Sequence, residues 1–247
     1  MEWNAALYDK KHNFVAEYGK GLLQYIPEKP EQRILDLGCG TGILTAQLAE
    51  ICSYVLGVDS SQDMIEKATE QYKKIDFRVC DALELPFEKE WDIVFSNAVF
   101  HWINDHNKLL QNIYKVLKPN GLLICEFGAY GNIAKIENAF ASVLKELGYD
   151  YHPKFNFPTA ESFGKLLTAN HFFIDTIYDY DRPTPLKDSE KGLSNWIKQF
   201  FAVDLASFSE KEQDTIFHKV EELLKPTLWN GKEWIADYRR LRVVAHI

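Results

Sequence analysis

Between Arg33 and Phe127, short apolar, β-branched runs alternate with longer amphipathic stretches, and no other feature of the sequence constrains the fold as strongly. Parallel strands need a crossover long enough for a helix, so this repetition points to a parallel sheet with helices on both faces. The strand candidates are Arg33–Leu37, Tyr54–Asp59, Phe77–Asp81, Trp91–Asn97 and Leu122–Phe127. Helices are expected over Ile43–Ile51 and over Ser61–Lys73, the second with Ser60 or Ser61 as its N-cap. A third, Asp105–Leu117, places Leu109, Leu110, Ile113, Val116 and Leu117 on one face and stops at Pro119-Asn120-Gly121. Strands of such a sheet should be buried on both faces.

Beyond Gly128 the rhythm changes. Ile133–Gly148 and Ala160–Ala169 read as helices, Phe172–Asp181 as a strand, and Arg182-Pro183-Thr184-Pro185 then interrupts the pattern. Two further helices, Gly192–Val203 and Glu210–Leu224, precede Tyr238–Ile247, which alternates Leu241, Val243, Ala245 and Ile247 with larger polar residues and reads as a closing strand. The expected fold is α/β: a Rossmann-like, doubly wound, mostly parallel seven-stranded sheet with a helical cap inserted before the last strand. As one domain over 1–247, it divides into an N-terminal helical lid (1–26), a core (27–181), the cap (182–236) and the closing strand (237–247).

Composition narrows the function. The chain has 247 residues, 28 basic against 36 acidic side chains, and a formal charge of −8. Broad contact with nucleic acid or an anionic membrane would therefore be repulsive without a basic patch, and a small-molecule partner fits better. Of the charged residues, 182–247 hold 11 basic and 10 acidic, so the acidity sits in the front. Cys39, Cys52, Cys80 and Cys125 stand apart, with no CxxC pair and no histidine at ligand spacing, which speaks against a metal site and for reduced thiols in a cytoplasmic protein.

The sharpest chemistry lies in Ile34-Leu35-Asp36-Leu37-Gly38-Cys39-Gly40-Thr41-Gly42, a strand running into glycines and then a helix. A dinucleotide fingerprint wants a glycine at the sixth position from Gly38, but Ile43 stands there, and an acid precedes the loop. A pyrophosphate would face Asp36; a cationic ligand without phosphates is favoured. Asp59 and Asp81 close the next two strands, and strand ends of a doubly wound sheet line one crevice, so Asp36, Asp59 and Asp81 should converge. Individually, Asp59 and Asp81 read equally as turn or cap residues.

Asp36-Leu37-Gly38-Cys39-Gly40-Thr41-Gly42, Gly57-Val58-Asp59-Ser60-Ser61-Gln62-Asp63-Met64 and Leu117-Lys118-Pro119-Asn120-Gly121-Leu122-Leu123 together resemble the class I S-adenosylmethionine-dependent methyltransferases. The resemblance implies that the glycine loop approaches the methionine part of the cofactor, Asp59 holds the ribose hydroxyls, Asp81-Ala82 and Met64 face the adenine, and Asn97 opens the loop toward methionine and acceptor. The implied cofactor set is Asp36, Gly38, Cys39, Gly40, Gly42, Asp59, Ser60, Met64, Asp81, Ala82 and Asn97. Phe95-Ser96-Asn97-Ala98-Val99-Phe100-His101-Trp102-Ile103, with Trp3, Tyr8 and Phe14, further resembles the trans-aconitate methyltransferase group and, more distantly, the malonyl-carrier methyltransferases of biotin synthesis.

Methyl transfer requires alignment of a nucleophile with the methyl carbon and no dedicated acid. Tyr8, His101, Trp102 and Arg239 are the acceptor-side candidates. A carboxylate acceptor is already nucleophilic, and Arg239, Arg242 or Arg182 would fork onto it. A hydroxyl or amine acceptor needs a base, for which His101 is the candidate. The plainer alternatives are that His101-Trp102 packs on the core, that the arginines are a solvated strand face, and that Trp3, Tyr8, Phe14 and Tyr18 form a permanently packed helix instead of a lid. The expected activity is methylation of a small organic acid. Methylation of a hydroxyl or amine, a non-catalytic binding protein and an NAD(P)-dependent oxidoreductase are the other readings.

Overall fold

The computed structural model describes residues 21–247. The N-terminal lid, with Trp3, Tyr8, Phe14 and Tyr18, therefore lies outside the described residues except for its last turn. In chain order the elements are β1 (Arg33–Leu37), α1 (Ile43–Leu48), β2 (Tyr54–Asp59), α2 (Gln62–Gln71), β3 (Asp76–Val79), β4 (Trp91–Asn97), α3 (His106–Val116) and β5 (Leu117–Gly128). Then follow α4 (Ala134–Glu146), α5 (Ala160–Ala169), β6 (Phe173–Asp181), β7 (Thr184–Pro185), α6 (Gly192–Phe200), α7 (Ala202–Leu205), α8 (Glu210–Leu228), β8 (Ile235–Ala236) and β9 (Arg239–His246).

Seven strands form one sheet in the order β3-β2-β1-β4-β5-β9-β6. The pairs β1–β2, β1–β4, β2–β3 and β4–β5 are parallel. β9 runs against β5, because the Ile247 amide donates to the Gly121 carbonyl while Arg242 meets Glu126 further back. The sheet is thus Rossmann-like and mostly parallel, with a late reversal.

Period-two alternation divides the strands between two cores. Ile34, Val55, Ile93, Phe95, Ile124 and Val244 pack on one face with Leu44 and Leu48 of α1. Leu35, Leu37, Leu56, Val58, Val94, Leu123, Cys125, Phe127, Leu241 and Val243 pack on the other with Leu109, Leu110, Ile113 and Val116 of α3. Burial on both faces holds for the central strands but not for the edges: β3 and β6 are largely exposed, since each has only one neighbouring strand.

Local chemistry sets the element ends. Ser61 caps α2, accepting the Met64 amide at 3.4 Å. Asp105 caps α3 through the Lys108 amide at 2.9 Å. α3 ends before the Pro-Asn-Gly sequence, which lies inside β5, not in a loop; the register of β4 against β5 shifts there and Asn120 takes a φ of 63°. The expected helix Gly192–Val203 is broken at Phe201 into α6 and α7.

By its contacts the chain forms two units. Among the described residues, one comprises 21–129 with Phe155–Asp179 and Leu241–Ile247; the other comprises Tyr130–Lys154 and Tyr180–Arg240. The second unit has its own core, in which Phe140 of α4 meets Phe201 at 4.6 Å and the Trp196 indole donates to the Tyr238 hydroxyl at 2.7 Å. α8 opens with a reciprocal capping box between Ser209 and Glu212. No helix among the described residues is long and apolar enough to cross a membrane.

Burial gives this architecture a direct check. Leu123→Ala, at a fully buried strand position, should cost about 2–5 kcal/mol in chemical denaturation. Val79→Ala, on the exposed β3 edge, should cost no more than about 0.5 kcal/mol.

Candidate active site

The first unit carries a cavity of about 530 Å³ at the C-terminal ends of β1, β2, β3 and β4. The β1 end continues into the glycine loop. The Gly38 and Cys39 amides both donate to the Val58 carbonyl, at 2.7 and 3.0 Å, which seats the loop on β2. The Ser96 hydroxyl donates to the Leu37 carbonyl at 2.7 Å and ties the same strand end to β4. Gly42 begins α1 at a φ of 84°, and a β-carbon there would lie 2.7 Å from the Phe77 ring, so a side chain is excluded by torsion and by space alike.

Asp59 ends β2 at the cavity wall. Its Oδ2 accepts the Gly40 amide at 3.0 Å and its Oδ1 accepts the Ser61 amide at 2.9 Å. Each carboxylate oxygen is thus oriented by a backbone donor and retains a further acceptor site. Burial pushes its pKa up, against the pull of these amides. Asp36 lies behind the loop, 2% exposed, with the Thr45 hydroxyl donating to its Oδ2 at 2.6 Å. Burial pushes its pKa up to about 7; the Thr45 hydrogen bond opposes the rise, and the Asp59 charge adds to it. Burial likewise pushes the Cys39 thiol well up, reinforced by the two aspartates.

Eight of the sequence-derived cofactor residues line this one cavity: Gly38, Gly40, Asp59, Ser60, Met64, Asp81, Ala82 and Asn97. Trp102 lines it as well. Asp36, Cys39 and Gly42 stand behind that surface, and Tyr8 lies outside the described residues. The Asp81 carboxylate accepts the Leu83 amide at 2.8 Å, and Met64 is 3% exposed beneath the floor.

His101 sits in the 3-10 turn Phe100–Trp102 that follows β4, 7% exposed. The Gly128 amide donates to its Nδ1 at 3.2 Å, and the Asn156 amide donates to its carbonyl at 2.9 Å. Its ring is flanked by Trp102, Phe155 and Phe157. Arg239 belongs to the second unit, where it pairs with Asp181 at 2.5 Å. Arg242 is buried on Glu126, its Nε donating to Oε2 at 2.7 Å. Both arginines are thus engaged with carboxylates of their own unit.

The cavity also recruits residues that the sequence did not single out, among them Leu37, Cys80, Ala98, Val99, Asn104 and Asp105. Asp105, the first residue of the expected helix Asp105–Leu117, is the N-cap of α3 and lies at the rim. Ala98 gave no signal: its left-handed backbone, φ 61°, is held by its amide on the Glu126 carbonyl at 2.7 Å.

Residues 35–125 match the family described as a methyltransferase domain. An uncharacterized methyltransferase of Schizosaccharomyces pombe, C70.08c, is 31% identical over 99% of this chain and 97% of that protein. A trans-aconitate 2-methyltransferase of Deinococcus radiodurans is 37% identical over 52% of this chain and half of its own length. The solved structure of YcgJ from Bacillus subtilis superposes with a TM-score of 0.63 over 95% of this chain and 98% of that one, at 16% identity, a likeness of fold. With near-complete coverage of a methyltransferase at that identity, and the glycine loop and strand-end acids on one cavity, the chain belongs to the class I S-adenosylmethionine-dependent methyltransferases.

Proposed function

We propose that the cavity holds S-adenosylmethionine and that the enzyme methylates the carboxylate of a small organic acid. The residues fit the cofactor: Gly40 leaves open space where a β-carbon would stand, and Asp59 presents two oriented carboxylate oxygens to vicinal hydroxyls. Asp81, Ala82 and Met64 bound the adenine end, and the glycine loop with Asp36 behind it bounds the methionine end. When bound, the cofactor supplies an electrophilic methyl carbon on a sulfonium.

The observation that carries the acceptor class is the Gly128 amide on His101 Nδ1. An amide hydrogen pointing at Nδ1 requires that nitrogen to be unprotonated, so the ring carries its proton on Nε2. With Nδ1 taken by that amide and the proton on Nε2, the ring is not arranged as a base for a hydroxyl or amine. A carboxylate needs no base: its oxygen forms the new bond as the carbon–sulfur bond breaks, and the sulfonium charge is neutralised in the same step. The name of the trans-aconitate 2-methyltransferase supports an acidic acceptor.

Three measurements check this reading. With labelled cofactor and a metabolite panel, the labelled product should be the methyl ester of a carboxylic acid, its label released as methanol by mild alkali; an alkali-stable label would point to a hydroxyl or amine acceptor instead. His101→Gln, which keeps an N–H donor, should retain activity within about tenfold, whereas loss of a general base would cost about 10²–10⁴-fold. Asp59→Ala should weaken S-adenosylhomocysteine binding about 100-fold by calorimetry, since two charge-assisted hydrogen bonds are lost.

Asp36 adds a pH dependence with a definite sign. Its carboxyl is raised from the ordinary value of 3.8 to about 7, so it is largely protonated below that pH in the free protein. A cation in the cavity, across the loop from Asp36, favours the ionised form, so S-adenosylmethionine binding should release a proton and tighten as pH rises through about 7. Asp36→Asn should flatten that profile. Without ligand, the same shift favours the fold at low pH, an advantage that is lost as pH rises from about 4 through about 7.

A further inference from the structure

Gly38 takes a φ of 77°, and a β-carbon built on it would lie 2.2 Å from Val99 Cγ2 and 2.8 Å from Cγ1. The Val99 isopropyl group therefore rests directly on the first glycine of the loop. Its placement is held from behind. The Ala98 amide is fixed on the Glu126 carbonyl at 2.7 Å, in the left-handed conformation that turns the chain at the end of β4. The Gly128 amide holds His101 two residues on, and the Trp102 amide closes the turn on the Val99 carbonyl at 2.9 Å. On its other side the glycine loop is seated on Val58. A β-branched side chain is stiff at χ1, so the position of its γ-carbons follows the backbone.

We infer that Val99 is a positioning residue: its γ-carbons pin Gly38 between β4 and β2 and set how closely the loop backbone approaches the methionine part of the cofactor. The inference rests on the proposed cofactor site. It makes the turn that carries His101 and Trp102 mechanically continuous with the loop that holds the cofactor, so acceptor-side and cofactor-side geometry are fixed by one contact. Because Val99 is only half-buried, truncating it should disturb binding more than stability.

The test is a double-mutant cycle read by calorimetry with S-adenosylhomocysteine, alongside thermal melts. Val99→Ala should weaken binding about fivefold at little change in melting temperature, and Val99→Ile, which keeps both γ-carbons, should bind like the unmodified chain. Gly38→Ala should bind far more weakly, and adding Val99→Ala to it should restore at least about fivefold, because the new methyl enters the space vacated. A double variant no tighter than Gly38→Ala overturns the pin, as does a Val99→Ala protein that melts early but binds normally. If Gly38→Ala does not fold, the Val99 pair decides: loss with Ala and retention with Ile supports the pin, and equal affinities overturn it. Absence of binding by the unmodified chain would overturn the cofactor site itself, and the pin with it.

Discussion

Two successive amides on one carbonyl hold the site together. Gly38 and Cys39 both donate to Val58, the residue before Asp59, so the glycine loop and the strand-end carboxylate are fixed to the same point of β2. Gly40 then closes the arrangement by donating to Asp59 itself. These are short bonds made at a sheet end where backbone groups would otherwise be unsatisfied. The loop conformation, the aim of Asp59 and the cavity wall therefore stand or fall together, and the central strands beneath them, buried on both faces, keep the frame rigid.

Electrostatics follow from that frame. Burial raises the pKa of both Asp36 and Asp59, and the Asp59 charge adds to the rise at Asp36. Two neighbouring carboxylates held partly out of water are an unfavourable arrangement unless a cation joins them. A sulfonium-bearing amino acid relieves that cost, whereas a pyrophosphate would add to it. Membership in the methyltransferases removes the oxidoreductase reading, and the missing sixth glycine agrees: with Ile43 in that place, the start of α1 differs from the dinucleotide fingerprint.

Much of this was legible in the sequence, for identifiable reasons. The bounds of β1, β2 and β4 agree with the sequence to the residue; β1 runs into Gly38, β2 ends in the strand-end acid Asp59, and the apolar run of β4 closes on the polar pair Ser96-Asn97. The convergence of Asp59 and Asp81 followed from topology, since parallel strands put their C-terminal ends at one edge. Less legible were features set by distant packing. Pro119-Asn120-Gly121 looks like a turn but lies within β5, where the carbonyl of Ile247, just past β9, accepts the Asn120 amide. The exposure of β3 and β6 depends on sheet order, which no local pattern encodes. The tautomer of His101 depends on an amide 27 residues away. The contact of Val99 with Gly38 has no counterpart in any motif, because the glycine reads as conformational freedom and not as room for a neighbour.

The most direct measurement is a crystal structure of the chain with S-adenosylhomocysteine. The ribose hydroxyls should lie on the Asp59 carboxylate, the adenine between Met64 and the Asp81-Ala82 corner, and the homocysteine along the glycine loop, with Gly38 still against Val99. A ligand bound elsewhere, or one whose ribose leaves Asp59 untouched, would contradict the account.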